Sequence, residues 1–86
     1  MELKNIMEDI VAEALDELRK HYDFCNCKQC RQDICAIALN KISPRYVVSD
    51  KGASYIRADL MAMQKDLDIL GVVLEAVKIV RKSPRH

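Results

Sequence analysis

Three thiols fall in six positions and a fourth follows closely: Cys25, Cys27, Cys30 and Cys35. These are the residues of the chain best suited to chemistry. A C-x-C-x2-C spacing puts three sulfurs on one short loop, where they can converge on a single soft cation. Zinc suits such a cluster, because Zn²⁺ takes tetrahedral geometry and bonds thiolate sulfur at about 2.3 Å. Two other uses compete: disulfides, and burial as small apolar side chains. Disulfides fit poorly. The first ten residues are amphipathic and acidic, with no apolar h-region and no small-residue cleavage site. The expected compartment is therefore a reducing cytoplasm, where clustered cysteines are more often metal ligands than cystines.

The four sulfurs are not equivalent. Cys25, Cys27 and Cys30 sit in what should be a loop and the start of a helix. Cys35 lies five residues beyond Cys30, an offset that turns the two side chains about 140° apart on a regular helix. Cys35 also falls in register with Ala38, Leu39 and Ile42, the pattern of a buried stripe. His21 could instead complete a Cys₃His site. The fourth ligand is open between Cys35 and His21.

A second group of interest is cationic. From Lys41 to Arg57 there are four bases (Lys41, Arg45, Lys51, Arg57) and one acid (Asp50). A charge run alone reads as a solvated loop. The overall net charge of +1 gives no bias toward nucleic acid. Catalytic patterns are missing: there is no Gly-rich phosphate loop and no H-E-x-x-H. A site with three or four sulfurs on zinc is usually closed, leaving no position for a substrate water. The chain therefore reads as a non-enzyme.

These groups must be positioned by helices. Two glycines and two prolines in 86 residues leave little room for the turns of a sheet protein. One small domain spanning 1–86 is expected, all-α, with three to four helices around a cysteine-rich zinc loop. No apolar stretch is long enough to span a bilayer. The first helix runs from about Leu3 to His21, with Leu3, Ile6, Met7, Ile10, Ala14, Leu15 and Leu18 on one face. The second begins near the cysteines and runs to about Lys41, ahead of Pro44. Tyr46–Val48 is a short extended piece, and Ser49-Asp50-Lys51-Gly52 a turn. The third stretch, about Ala53 to Lys82, carries Ile56, Leu60, Met63, Leu67, Leu70, Leu74 and Val77 at heptad spacing. Unbroken, it would be about 45 Å long. A long C-terminal helix packing in a homodimer is the simplest way to cover it. A break at Asp66 or Asp68, giving two shorter helices, is the alternative.

The order C-x-C-x2-C, Asp33, Ala36-x-Ala38-Leu39-Asn40, Pro44-Arg45-Tyr46-Val47-Val48 resembles the late competence development protein ComFB family. The resemblance runs from about Phe24 to Ser49. It implies an all-helical, homodimeric, cytoplasmic bacterial protein with no known enzymatic activity, and zinc held by cysteines in members that keep the cluster. It also implies that a plain aliphatic residue usually stands at the place of Cys35, which weakens that thiol as a ligand. Some members of the family are implicated in binding cyclic di-GMP or cyclic di-AMP.

A cyclic dinucleotide carries two phosphates and two purines. Arginine offers bidentate donors to a guanine edge, and tyrosine a stacking face. Arg45, Tyr46, Lys51, Tyr55 and Arg57 meet that need, and a two-fold dimer would present two copies to a two-fold ligand. The competing function is a zinc-stabilised dimeric adaptor in competence or motility, docking on a protein partner through the acidic first helix.

Overall fold

A computed structural model of the chain describes residues 2–62 and 68–83. The elements run β1 (Lys4–Asn5), α1 (Met7–Arg19), α2 (Lys28–Leu39), β2 (Tyr46–Val47), α3 (Asp50–Ala62) and α4 (Ile69–Lys82). Helices α1, α2 and α4 pack against one another and enclose the core. Each contributes one apolar stripe at helical spacing. On α1 the buried residues are Met7, Val11, Leu15 and Leu18, and on α2 they are Cys30, Ile34 and Ala38. On α4 they are Val73, Ala76, Val77 and Val80. No polar side chain is buried among the described residues. Burying a side chain such as Ile34 or Leu15 stabilises the fold by about 1.5–3 kcal/mol.

The first helix starts at Met7 rather than Leu3, because the chain ahead of it is extended. Lys4 pairs with Val47 and Asn5 with Tyr46 in an antiparallel two-stranded ribbon. Val47 is buried and Tyr46 and Val48 point outward, the period of two expected of a strand. The Ser49–Gly52 segment is not a free turn but the start of α3. Ser49 Oγ accepts the Gly52 N–H at 3.0 Å, and the Ser49 carbonyl accepts that of Ala53 at 3.0 Å. Helix α3 joins the core through buried Leu60 and partly buried Ile56.

The long C-terminal helix is not continuous. Asp68 has φ −92° and ψ 83°, outside helical geometry, and its Oδ1 accepts the Gly71 N–H at 2.9 Å. An aspartate that satisfies an otherwise orphan N–H is a helix start, not a helix interior. The alternative of two shorter helices is the one observed, with Met63 and Leu67 outside the described residues. The heptad spacing captures part of the buried face, since Leu60 and Val77 lie in the core. Leu70 remains 45% exposed, while Val73 and Ala76, off that seam, are fully buried.

Candidate metal centre and cationic surface

Phe24 is buried and anchors the chain where it leaves α1 for the cysteine loop. Cys27 has extended backbone (φ −68°, ψ 161°) and forms the N-cap of α2, its Sγ accepting the Cys30 N–H at 3.4 Å. The first turn of α2 then carries Cys30 back beside Cys27. The Sγ atoms of Cys25, Cys27 and Cys30 all lie within 4.8 Å of one another. In a tetrahedral zinc thiolate the sulfurs sit about 3.8 Å apart. The three donors fit such an ion by type and by spacing.

The electrostatics of the three differ. The backbone N–H of Cys30, the largest influence, holds the Cys27 thiol below its usual range. Cys30 is 2% exposed. Burial, reinforced by the neighbouring Cys25 and Cys27 sulfurs, pushes its thiol up to about 12. Without a metal Cys30 is therefore a neutral thiol at physiological pH. The loop is braced from outside by Arg31, whose Nη1 donates to Asn26 Oδ1 at 3.0 Å and to Asp16 Oδ1 of α1 at 2.8 Å.

Neither of the two expected fourth ligands joins the group. Cys35 points along α2 into the partly buried layer around the core, near Arg31 and Asp16, and burial raises its thiol. The 140° offset from Cys30 accounts for this. His21 lies just past the end of α1, exposed, with Nε2 3.7 Å from Glu17 Oε1.

The cationic residues gather around β2 and the start of α3. Asn5 holds the Pro44-Arg45-Tyr46 segment in place. Its Oδ1 accepts both the Arg45 N–H at 2.9 Å and the Met7 N–H at 3.2 Å, while Ile6 N–H donates to the Arg45 carbonyl at 2.7 Å. The Arg45 side chain is half-buried, and among the described residues no ion pair engages it. Tyr46 is 61% exposed and Tyr55 75%. Lys51 and Tyr55 share one face of α3 at i, i+4. Arg57, two positions on, is turned about 200° from Tyr55. It faces α1, where Nη1 and Nη2 donate to Glu13 Oε2 and Oε1 at 2.7 and 3.1 Å. Those bonds raise its pKa further and commit the guanidinium to tying α3 to α1. Asn5 and Arg31 were not singled out from sequence. An Asn just ahead of an amphipathic helix was the available signal for the first.

The chain matches the late competence development protein ComFB family over residues 4–84. It belongs to the ComFB family. Competence protein ComFB of Bacillus subtilis (strain 168) is 33% identical over 79 residues, covering 92% of this chain and 78% of that protein. A solved structure of the late competence protein ComFB from Bacillus subtilis aligns with a TM-score of 0.84 at 35% identity, over 95% of this chain and 91% of that one. The ComFB match extends well beyond the Phe24–Ser49 block, through α1 and α4. ComFB proteins are not a known enzyme class. No described helix is long and apolar enough to cross a membrane.

Proposed function

We propose that this ComFB-family chain is a non-enzymatic cytoplasmic regulator: a zinc-stabilised homodimer that binds a cyclic dinucleotide, cyclic di-GMP or cyclic di-AMP. The observation that carries the reading is the pair of well-exposed tyrosines, Tyr46 next to Arg45 in the chain and Tyr55 one turn from Lys51 on α3. Two large aromatic faces left in water beside unpaired cations are costly for a small fold and suit a planar anionic ligand. Arg45 would read a purine edge or a phosphate, Lys51 would neutralise phosphate, and the tyrosines would stack. Arg57 drops out of the ligand set because Glu13 already holds it.

Zinc would be held by Cys25, Cys27 and Cys30, where it would act as a structural staple. A second subunit would cover the exposed flank of α4 at Leu70. The adaptor reading draws less support. Of the acids on α1, Asp9, Glu13, Asp16 and Glu17 each already pair with a base of the same chain, which leaves a largely neutralised face.

Titration calorimetry of the zinc-loaded protein with each nucleotide tests the reading. Saturable binding that Arg45→Ala abolishes, with the fold intact, supports it. Arg45→Lys keeps charge but loses the planar fork, so it should weaken purine reading more than phosphate attraction. No heat and no thermal shift with either nucleotide at high micromolar concentration would refute the receptor and favour the adaptor.

A further inference from the structure

We propose that Cys27 and Cys30 form a reversible redox site: a hydroperoxide oxidises Cys27, Cys30 closes a disulfide onto it, and the metal site is lost. The disulfide stands on the geometry of the two thiols. The loss of metal rests on the zinc reading above. Stable disulfides fit a reducing compartment poorly, but transient ones serve there as redox sensors.

Such a sensor needs an accessible sulfur and a second sulfur poised to resolve it. Cys27 is exposed, and Cys30 is buried one turn further on. Their Sγ atoms lie within 4.8 Å of each other. Cys27 is the N-cap of α2, its carbonyl accepting the Arg31 N–H at 3.0 Å and its Sγ the Cys30 N–H at 3.4 Å. The pair therefore stands three steps apart at the start of a regular helix, which sets the Cα atoms about 5 Å apart. A disulfide takes a Cα separation of about 4.4–6.8 Å. Rotation of the side chains then closes the bond without moving the backbone. Cys30 has space to turn, because it lines a cavity of about 180 Å³ between the cysteine loop and the last turns of α4. Cys35 has no cysteine three or four positions away and sits in the partly buried layer around the core. Cys25 lies on the loop ahead of α2, where no helical turn sets its backbone distance to Cys30.

The chemistry balances with hydrogen peroxide as oxidant. The Cys27 thiolate attacks one peroxide oxygen; an S–O bond forms, the O–O bond breaks and hydroxide leaves. The Cys30 thiolate then attacks the Cys27 sulfur; an S–S bond forms, the S–O bond breaks and a second hydroxide leaves. Solvent protons convert both to water. Two electrons pass from the pair of sulfurs to the peroxide. A disulfide sulfur is not the thiolate that a metal takes as ligand. Cys25 alone of the three donors would be left, too few to retain the ion.

Hydrogen peroxide added to the reduced, zinc-loaded full chain tests this. Released zinc is read with a chromophoric chelator, and thiols are alkylated after denaturation and located by peptide fragmentation. Cys27 and Cys30 should escape alkylation together, one zinc should appear per linkage, and dithiothreitol should restore both thiols and the metal. Cys35→Ser should behave as the unmodified chain. Cys30→Ser should stop at a sulfenic acid on Cys27, trapped by dimedone. The unmodified chain decides the case even where the Cys30 variant fails to fold. Every thiol still alkylated after peroxide overturns the inference. So does a linkage that uses Cys25 or Cys35, or a product that dithiothreitol does not reverse. The linkage formed with zinc retained refutes the loss of the metal site. The linkage formed in a chain that binds no zinc upholds the redox pair and refutes the zinc reading.

Discussion

Replacing Asn5 with alanine should loosen the Pro44-Arg45-Tyr46 segment without touching any cysteine or any cation. Its Oδ1 is the shared acceptor for two backbone donors, Arg45 N–H at 2.9 Å and Met7 N–H at 3.2 Å, forty and two residues away in sequence. Both bonds are partly buried, so each contributes about 1 kcal/mol net, and their joint loss should cost about 2 kcal/mol. In a domain of this size that corresponds to a Tm lower by about 10 °C. Asn5→Asp keeps an acceptor in place and should stay within about 0.5 kcal/mol of the parent. Thermal and urea unfolding followed by helical circular dichroism, at saturating zinc, separates the cases. The reasoning fails if Asn5→Ala melts within about 2 °C of the parent, or if Asn5→Asp is equally damaging. The outcome bears on function, because these bonds, together with that from Ile6 to the Arg45 carbonyl, fix the backbone from which Arg45 and Tyr46 project.

Three further outcomes are expected. Asp68→Ala removes the N-cap of α4 and should cost about 1 kcal/mol in urea unfolding, whereas Asp68→Asn, which keeps the acceptor, should be close to neutral. Zinc affinity should rise with pH. The metal-free Cys30 thiol, held at about 12, must surrender its proton to the incoming ion, so this residue alone makes binding about tenfold tighter per unit between pH 6 and 8. Chelator competition across that range would show it, and a flat profile would contradict it. Leu70→Asp places a charge on a side chain already 45% exposed. It should leave the fold intact by circular dichroism yet shift light scattering from dimer to monomer. A variant that remains dimeric puts the contact elsewhere.

The parts of the fold legible in the sequence are those with a strong local period. Met7, Val11, Leu15 and Leu18 announce α1, and Cys30, Ile34 and Ala38 announce α2. The three-cysteine loop was legible because C-x-C-x2-C leaves few ways to keep the sulfurs apart once a helix begins at Lys28. Other features carried no such period. Lys4–Asn5 is two polar residues, and its strand exists only because Val47 and Tyr46 lie opposite. A 4-3 apolar spacing cannot by itself distinguish one helix from two, because either arrangement can carry it. The deciding signal was local: Asp68 with Gly71 three residues on, a cap and its exposed amide. Arg57 shows the opposite limit. Sequence proximity grouped it with Lys51 and Tyr55, but the helical turn sends it to Glu13 on the far side.

Helix α2 links the two functional regions. Its N-cap sulfur, Cys27, is also a candidate ligand, and a coordinated thiolate still has lone pairs to accept the Cys30 N–H. A metal bound there and the start of α2 would therefore draw on the same sulfur. At the other end the helix stops at Leu39, and buried Ile42 leads into Pro44 and the Arg45–Tyr46 segment. The two ends stand about 18 Å apart, too far for a metal held at one to touch a ligand bound beyond the other. Whatever coupling exists runs through Ile34 and Ala38, packed against α1 and α4 in the common core. On the proposed reading a metal would therefore brace the start of α2 and would take no direct part in what the cationic surface binds.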